Sequence, residues 1–147
     1  MDRSRLLALV ASALVVAALV AQGARAQRLL GANRRLHAAE VTSLRAAQLG
    51  ARRGPLLEAN LAVLRDAQRM DPAEVAIPLA RGSVLYLLGR LEPAIAAYRE
   101  ALRLEPRPEI YLNLGRALRA HGEVAEGERE MARAARLDPL LAAELGR

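Results

Sequence analysis

The amino-acid pattern predicts an all-α chain: an α-solenoid of about three helix–turn–helix repeats, preceded by an N-terminal apolar helix. Three observations carry this. The core formers are almost all Ala, Leu and Val, with no Phe or Trp and only three Tyr (Tyr86, Tyr98, Tyr111), a palette that favours helix over sheet. Acidic-Pro pairs recur at Asp71-Pro72, Glu105-Pro106 and Asp138-Pro139, with the prolines 34 and 33 residues apart. Each pair closes a stretch of helical periodicity, because Pro cannot continue a helix and pushes the residue before it out of the α region.

The first element follows Met-Asp-Arg-Ser-Arg. Leu6 to Ala21 is a run of 16 residues without a charge, about 24 Å long as a helix at ~1.5 Å per residue. A bilayer core needs about 20 residues, so the run falls short unless Gln22 to Ala24 extend it. It is longer than the ~7–15-residue apolar region of a signal peptide. Ala24-Arg25-Ala26 presents small residues where a signal peptidase reads, and cleavage there leaves Gln27 as the N-terminus. Residues 1–26 therefore read as a signal peptide or an N-terminal membrane anchor. A buried helix of a soluble fold is the third reading. It is disfavoured because a helix apolar on all sides needs a core that surrounds it, which about 120 further residues do not easily supply. Either favoured reading places the chain in the cell envelope, periplasmic or anchored in the inner membrane. Arg3 and Arg5 on one side of the run, and Arg25, Arg28, Arg34 and Arg35 on the other, pull its orientation in opposite directions. The Ala-x-Ala site favours export.

Residues 27–55 read as a basic helical linker or the first helix of a degenerate repeat. Leu29, Leu36 and Leu44 are spaced for one face, and the net charge over 27–56 is +5. Such an Arg-rich surface is either a solvated helix face or a contact with anionic lipid. Residues 57–147 carry a net −1, so the basic total of the chain predicts no nucleic-acid partner.

The repeats occupy 41–139, as 41–72 (degenerate), 73–106 and 107–139. The two complete units share Gly82 with Gly115, Gly89 with Gly122, Leu85 with Leu118, Ala101 with Ala134 and Leu104 with Leu137, each 33 apart. Small residues on facing helices let the axes approach closely. Gly89 and Gly122 stand where a helix end needs a left-handed residue. Ile95, Tyr98, Ala101 and Leu102 form one buried stripe. In the degenerate unit Leu61, Leu64, Ala67, Met70 and Pro72 repeat the second-helix pattern 34 residues earlier, and the first helix is expected at about Val41 to Arg53. Residues 140–147 read as a C-terminal capping helix.

The spacing and wording of these units resemble the tetratricopeptide repeats, a 34-residue helix–turn–helix family with a W-x2-L-G-x2-Y signature in the first helix and A-x3-F in the second. Tyr111-x2-Leu114-Gly115-x2-Leu118 is similar to the first signature. Ala94-x3-Tyr98, followed by Ala101 and Pro106, is similar to the second. Pro78, standing where a large apolar residue is usual, predicts a kinked or late start to its helix. Gly127 and Met131 replace the Ala and the aromatic of the last unit. The resemblance implies a concave groove that binds a protein or peptide through the first helix of each unit. Carried over by position, the groove residues are Leu79, Ser83 and Tyr86 in one unit and Leu112, Asn113, Arg116 and Arg119 in the next. Leu112 and Asn113 also fit a purely structural part. Arg116 and Arg119 have the geometry to fork onto a carboxylate. The Lys/Asn carboxylate clamp of the co-chaperone branch is not matched, because only Asn113 corresponds.

No catalytic chemistry is legible. The chain has no Cys and no Lys, which excludes thiolate metal sites, disulfides, Schiff-base chemistry and a P-loop lysine. His37 and His121 lack metal-ligand spacing, and His121, before Gly122, suits a helix C-terminus. The run Glu123, Glu126, Glu128 and Glu130 alternates with Arg129 and Arg133 like a solvated helix face. The expectation is a non-catalytic envelope scaffold that binds a protein or peptide, touches the membrane through its N-terminal segment, and uses no cofactor, metal, nucleic acid or small-molecule substrate. Two alternatives share these features: a membrane-assembly subunit acting through the anchor and basic helix, and an accessory subunit presenting substrate to an envelope enzyme.

Overall fold

The structure, a computed structural model, describes residues 3–48 and 53–140. Among the described residues there are six helices and no strand: α1 (Arg3–Gln48), α2 (Arg53–Met70), α3 (Ala76–Leu87), α4 (Leu91–Leu104), α5 (Pro108–His121) and α6 (Val124–Leu137). The capping helix expected over 140–147 lies, from residue 141 on, outside them. Each helix packs on the next, and the first helices of the pairs also touch, α1 on α3 and α3 on α5. The backbones of the second helices, α2, α4 and α6, do not approach one another among the described residues. A stack closer on its first-helix side curves towards that side, which puts α1, α3 and α5 on the hollow face.

The backbone repeats as the sequence does. The N–H groups of Asp71, Glu105 and Asp138 each donate to the carbonyl of an alanine four residues back, Ala67, Ala101 and Ala134, at 2.9 Å. Each closes a second helix before its proline. The first helices end alike: Gly89 and Gly122 have φ of 73° and 102°, and the next residues, Arg90 and Glu123, donate to Leu85 and Leu118 at 2.9 Å. This is the bond pattern that glycine permits at a helix end, where a Cβ would be strained. Pro78 lies in the first turn of α3, where its missing N–H leaves no helical bond unmade. In the 33-residue register α3 begins one residue later than α5 and ends one residue earlier, 12 residues against 14.

The core runs through the stack. Leu57, Leu61, Leu64 and Ala67 of α2 meet Ile77, Val84 and Leu85 of α3, and the cluster continues through Ala94, Ile95, Tyr98 and Ala101 to Ile110, Leu114 and Leu118. A side chain of Leu size contributes about 1.5–3 kcal/mol on full burial, so Leu and Ile here fill the place that aromatics take elsewhere. Ion pairs join the separated second helices on the outer side, with Arg90 reaching Glu58 and Arg99 reaching Glu126. Exposed pairs of this kind contribute at most about 1 kcal/mol each.

The first pair departs from expectation. Its first helix was placed at about Val41–Arg53, but α1 is continuous from Arg3 to Gln48, and among its described side chains the buried ones are Ala32, Leu36 and Ala39. Asn60 of α2 donates to the Ala39 carbonyl at 2.7 Å. Gly31 faces Met70, whose methyl group occupies the space a Cβ would need. With 18 residues, α2 is longer than the other second helices, and its partner surface lies correspondingly further back along α1. Of the expected face, Leu36 is buried, Leu29 stays exposed, and Leu44 lies outside the described side chains.

Beyond this dock α1 projects from the body. Leu14, Val15, Val16, Leu19 and Val20 are all about 60% exposed or more, which overturns the buried-helix reading. Among the described residues no helix is long and apolar enough to cross a membrane. The side chains of Leu6 to Ala13, which open the apolar run, lie outside them.

The backbones of α5 and α6 approach closely at two glycines. A Cβ on Gly115 would lie 2.7 Å from the carbonyl oxygen of Gly127, and one on Gly127 would lie 2.7 Å from that of Gly115. Ala for Gly inside a helix ordinarily stabilises by about 1 kcal/mol. At Gly115 the overlap is with backbone, so Gly115→Ala is expected to destabilise by about 1–3 kcal/mol instead. Gly54→Ala, with nothing within 4 Å, is expected to be neutral or slightly stabilising. Urea midpoints of the two variants check the opposite signs.

Candidate functional site

On α3, Leu79, Ser83 and Tyr86 follow one another at three- and four-residue steps, and so share a face. On α5, Asn113, Arg116 and Arg119 do the same. These two faces meet on the hollow side and border two adjoining open cavities. The inner one, of about 240 Å³, is lined by Ser83, Tyr86, Leu87, Tyr98, Asn113 and Arg116. The outer one, of about 530 Å³, is lined by Tyr86, Arg116, Arg119, Ala120 and Val124. Tyr86 and Arg116 form the wall between them.

The inner cavity owes its back wall to a glycine. A Cβ on Gly82 would lie 2.6 Å from the Tyr98 ring, so only Gly lets that ring cross α3. The Tyr98 hydroxyl thereby reaches the Ser83 Oγ at 3.3 Å, and the Ser83 hydroxyl donates to the Leu79 carbonyl at 3.2 Å. Burial raises the pKa of Tyr98 above the ordinary phenol value, against the lowering effect of the Ser83 hydrogen bond. In the outer cavity Arg119 lies 3.5 Å from Glu128, and its stem occupies the space that a Cβ on Gly127 would take. Arg116 makes no ion pair among the described residues and is exposed, so its guanidinium is available to a ligand.

Five of the seven residues expected in the groove line these cavities: Ser83, Tyr86, Asn113, Arg116 and Arg119. Leu79 is half-buried against the core. Leu112 follows the structural alternative given for it: it is 6% exposed and packs with Met131 and Ala134 of α6. Its position on α5 faces the partner helix of the same unit, so it is framework and not groove. Leu87 and Tyr98 were missed as cavity walls. The 16-residue offset from Gly82 to Tyr98, repeated from Gly115 to Met131, was the signal available. Among the described residues no group of three or more His, Asp or Glu is placed to hold a metal ion.

The TPR repeat family profile matches residues 82–122, from the glycine beneath Tyr98 to the left-handed glycine that ends α5. TTC0263, a thermophilic TPR protein of Thermus thermophilus, superimposes with a TM-score of 0.72 at 30% identity, covering 86% of this chain and 66% of that one. The chain belongs to the tetratricopeptide-repeat family. A second solved structure, MamA MSR-1 C2, matches with a TM-score of 0.58 at 21% identity over 71% of this chain and 57% of that one, and shows the same fold. This repeat protein spans about two thirds of the first relative's length and less of the second's. No curated protein sequence matches it significantly. Tetratricopeptide repeats typically serve as non-catalytic scaffolds for protein–protein interaction, and this chain shares that architecture.

The Tyr98 phenol carries a pH dependence with a definite sign. Its folded pKa is raised, so the unfolded chain loses the proton first. The stabilisation is complete below the unfolded value, near ~10, and is lost as pH rises through the folded value. Urea midpoints followed across alkaline pH are expected to fall more steeply for the natural chain than for Tyr98→Phe. At neutral pH that variant is expected to lose about 0.5–1.5 kcal/mol, the hydrogen bond to Ser83.

Proposed function

We propose that this tetratricopeptide-repeat protein is a membrane-tethered, non-catalytic adaptor of the cell envelope that holds an acidic segment of a partner polypeptide between α3 and α5. The observation that carries the reading is the convergence of Tyr86, Asn113, Arg116 and Arg119 around two adjoining cavities on the hollow face. Two guanidiniums one helical turn apart suit a carboxylate, which accepts paired N–H donors in a charge-assisted contact. The Asn113 amide offers a donor and an acceptor to a peptide backbone. The Tyr86 ring gives apolar contact with a polar tip, a residue type favoured at interfaces.

The envelope part of the proposal draws on α1. Leu6 to Ala24 is 19 residues without a charge, and α1 continues through Gln22, Gly23 and Ala24 without a break. As one helix this stretch is about 28 Å long, against a hydrocarbon core of ~30 Å. Its exposed apolar flank favours lipid as its surroundings.

The test is selection from a random peptide display library on the full-length chain in detergent. Peptides rich in Asp and Glu are expected to be enriched. Arg116→Gln/Arg119→Gln is expected to weaken their binding by about 2 kcal/mol, roughly thirtyfold, with helicity unchanged by circular dichroism. Arg34→Gln, away from the groove, is expected to leave binding intact. Enrichment without acidic residues, or binding indifferent to the double variant, would overturn the groove reading.

A further inference from the structure

We propose that the edge of the slab formed by the C-terminal ends of α2, α4 and α6 is a second interaction surface, one that lies against an anionic lipid bilayer. This rests on the reading that α1 inserts in a membrane.

The topology brings the parts together. Paired helices run antiparallel: Asn60 meets Ala39 while Met70, further along α2, meets Gly31, and Arg81 and Ser83 of α3 reach Glu100 and Tyr98 of α4. Short turns join α2 to α3 and α4 to α5. The ends of α2, α4 and α6 therefore lie along one edge, and α1 leaves the body at that same edge. A cleft of about 510 Å³ marks the neck, between Arg25, Arg28 and Leu29 of α1 and the turn from Met70 to Ala73.

The edge repeats a four-residue pattern of Arg, apolar, acid and Pro: Arg69-Met70-Asp71-Pro72, Arg103-Leu104-Glu105-Pro106 and Arg136-Leu137-Asp138-Pro139. Its acids are engaged locally. Asp71 and Asp138 accept the backbone N–H groups of Ala73 and Leu140, and Glu105 is bound by Arg107. Of its arginines, Arg69 pairs with Asp66 on its own helix, whereas among the described residues Arg103 and Arg136, and Arg25 and Arg28 at the neck, make no ion pair. Of the apolar members, Met70 is covered by α1, whereas Leu104 and Leu137 are 41% and 57% exposed. Exposed Leu flanked by free Arg matches the headgroup boundary of an anionic bilayer, where the aliphatic part sinks and the guanidinium meets phosphate. Continuity with the apolar flank of α1 commits the surface to lipid over a second protein. Seated this way, the groove is held at a fixed height above the membrane and addresses partners that lie there too.

The experiment uses the full chain with phosphatidylcholine vesicles, with and without phosphatidylglycerol. Flotation reads insertion of α1, and amide hydrogen exchange at 103–107 and 136–140 reads the edge. The chain is expected to float with both vesicles and to gain edge protection with phosphatidylglycerol. Arg103→Gln/Arg136→Gln is expected to float equally and to lose that protection by on the order of tenfold. Leu104→Ser/Leu137→Ser, altering exposed residues only, is expected to act in the same direction with helicity unchanged. A chain that floats while its edge exchanges as it does in free solution overturns the surface and leaves the insertion reading standing. A chain that floats with neither vesicle refutes the insertion reading, and the surface with it.

Discussion

Everything in this structure depends on how closely two helices of one unit can approach. At Gly115 and Gly127 the backbones come so near that neither position has room for a methyl group, and at Gly82 the Tyr98 ring lies where a Cβ would stand. Contacts of this kind fix the depth of a helix pair. With the depth fixed, the stops at Asp71, Glu105 and Asp138 fix its length, because each second helix closes on an alanine carbonyl before a proline. Depth and length together define a unit that cannot cover its own apolar face, so stacking follows from the same contacts that build the pair. The hollow face is a further consequence. First-helix backbones approach their counterparts and second-helix backbones do not, so the stack bends and leaves a hollow face on the inside of the bend.

The same contact shapes the chemistry of that surface. The Tyr98 ring crosses to Ser83 over a glycine and becomes the back wall of the inner cavity. Gly127 leaves space for the stem of Arg119. In both places a residue chosen for packing decides where a polar group of the groove stands. Groove and core here are two sides of one set of contacts, and a substitution that widens a helix pair must also move the residues that line the groove.

Most of the architecture was legible because its signals are local and repeated. Acid-Pro stops, left-handed glycines and the stripe through Ile95, Tyr98 and Ala101 each constrain only a few neighbouring residues, and they recur at the same offset. What escaped was what depends on which neighbour a face meets. On α5, Ile110, Leu112, Leu114, Ala117 and Leu118 are all buried, since α3, α4 and α6 all touch this helix. Periodicity shows that these positions are inside. It does not show that Leu112 turns to α6 while Asn113 beside it turns to the hollow. The register of the first pair escaped for a related reason. Without a repeat glycine in the expected place, nothing in the spacing fixed where along α1 the long helix α2 would dock, and Ala32, Leu36 and Ala39 differ little from other Ala and Leu in that helix. Gly31 opposite Met70 is the trace of the rule, displaced along the chain.

The continuity of α1 then links the two ends of the molecule. A helix that docks on α2 and α3 through its C-terminal half and projects an apolar flank through its N-terminal half transmits orientation as a flexible linker does not. A Gly/Ser linker of the same number of residues would let the groove wander through a sphere of radius growing as the square root of its length. A helix about 69 Å long with one docked half confines it to a cone. On the tethered reading proposed above, a groove held at one height and one tilt raises the effective concentration of ligands presented at that height. The neck at Arg25 and Arg28 is where α1 leaves the body, beside the turn after α2, and the unbroken helix resists bending there. Shifting the α1–α2 dock by one residue would turn the groove by about 100° around the α1 axis, so Ala32, Leu36 and Ala39, none of which lines the groove cavities, decide which way the groove faces.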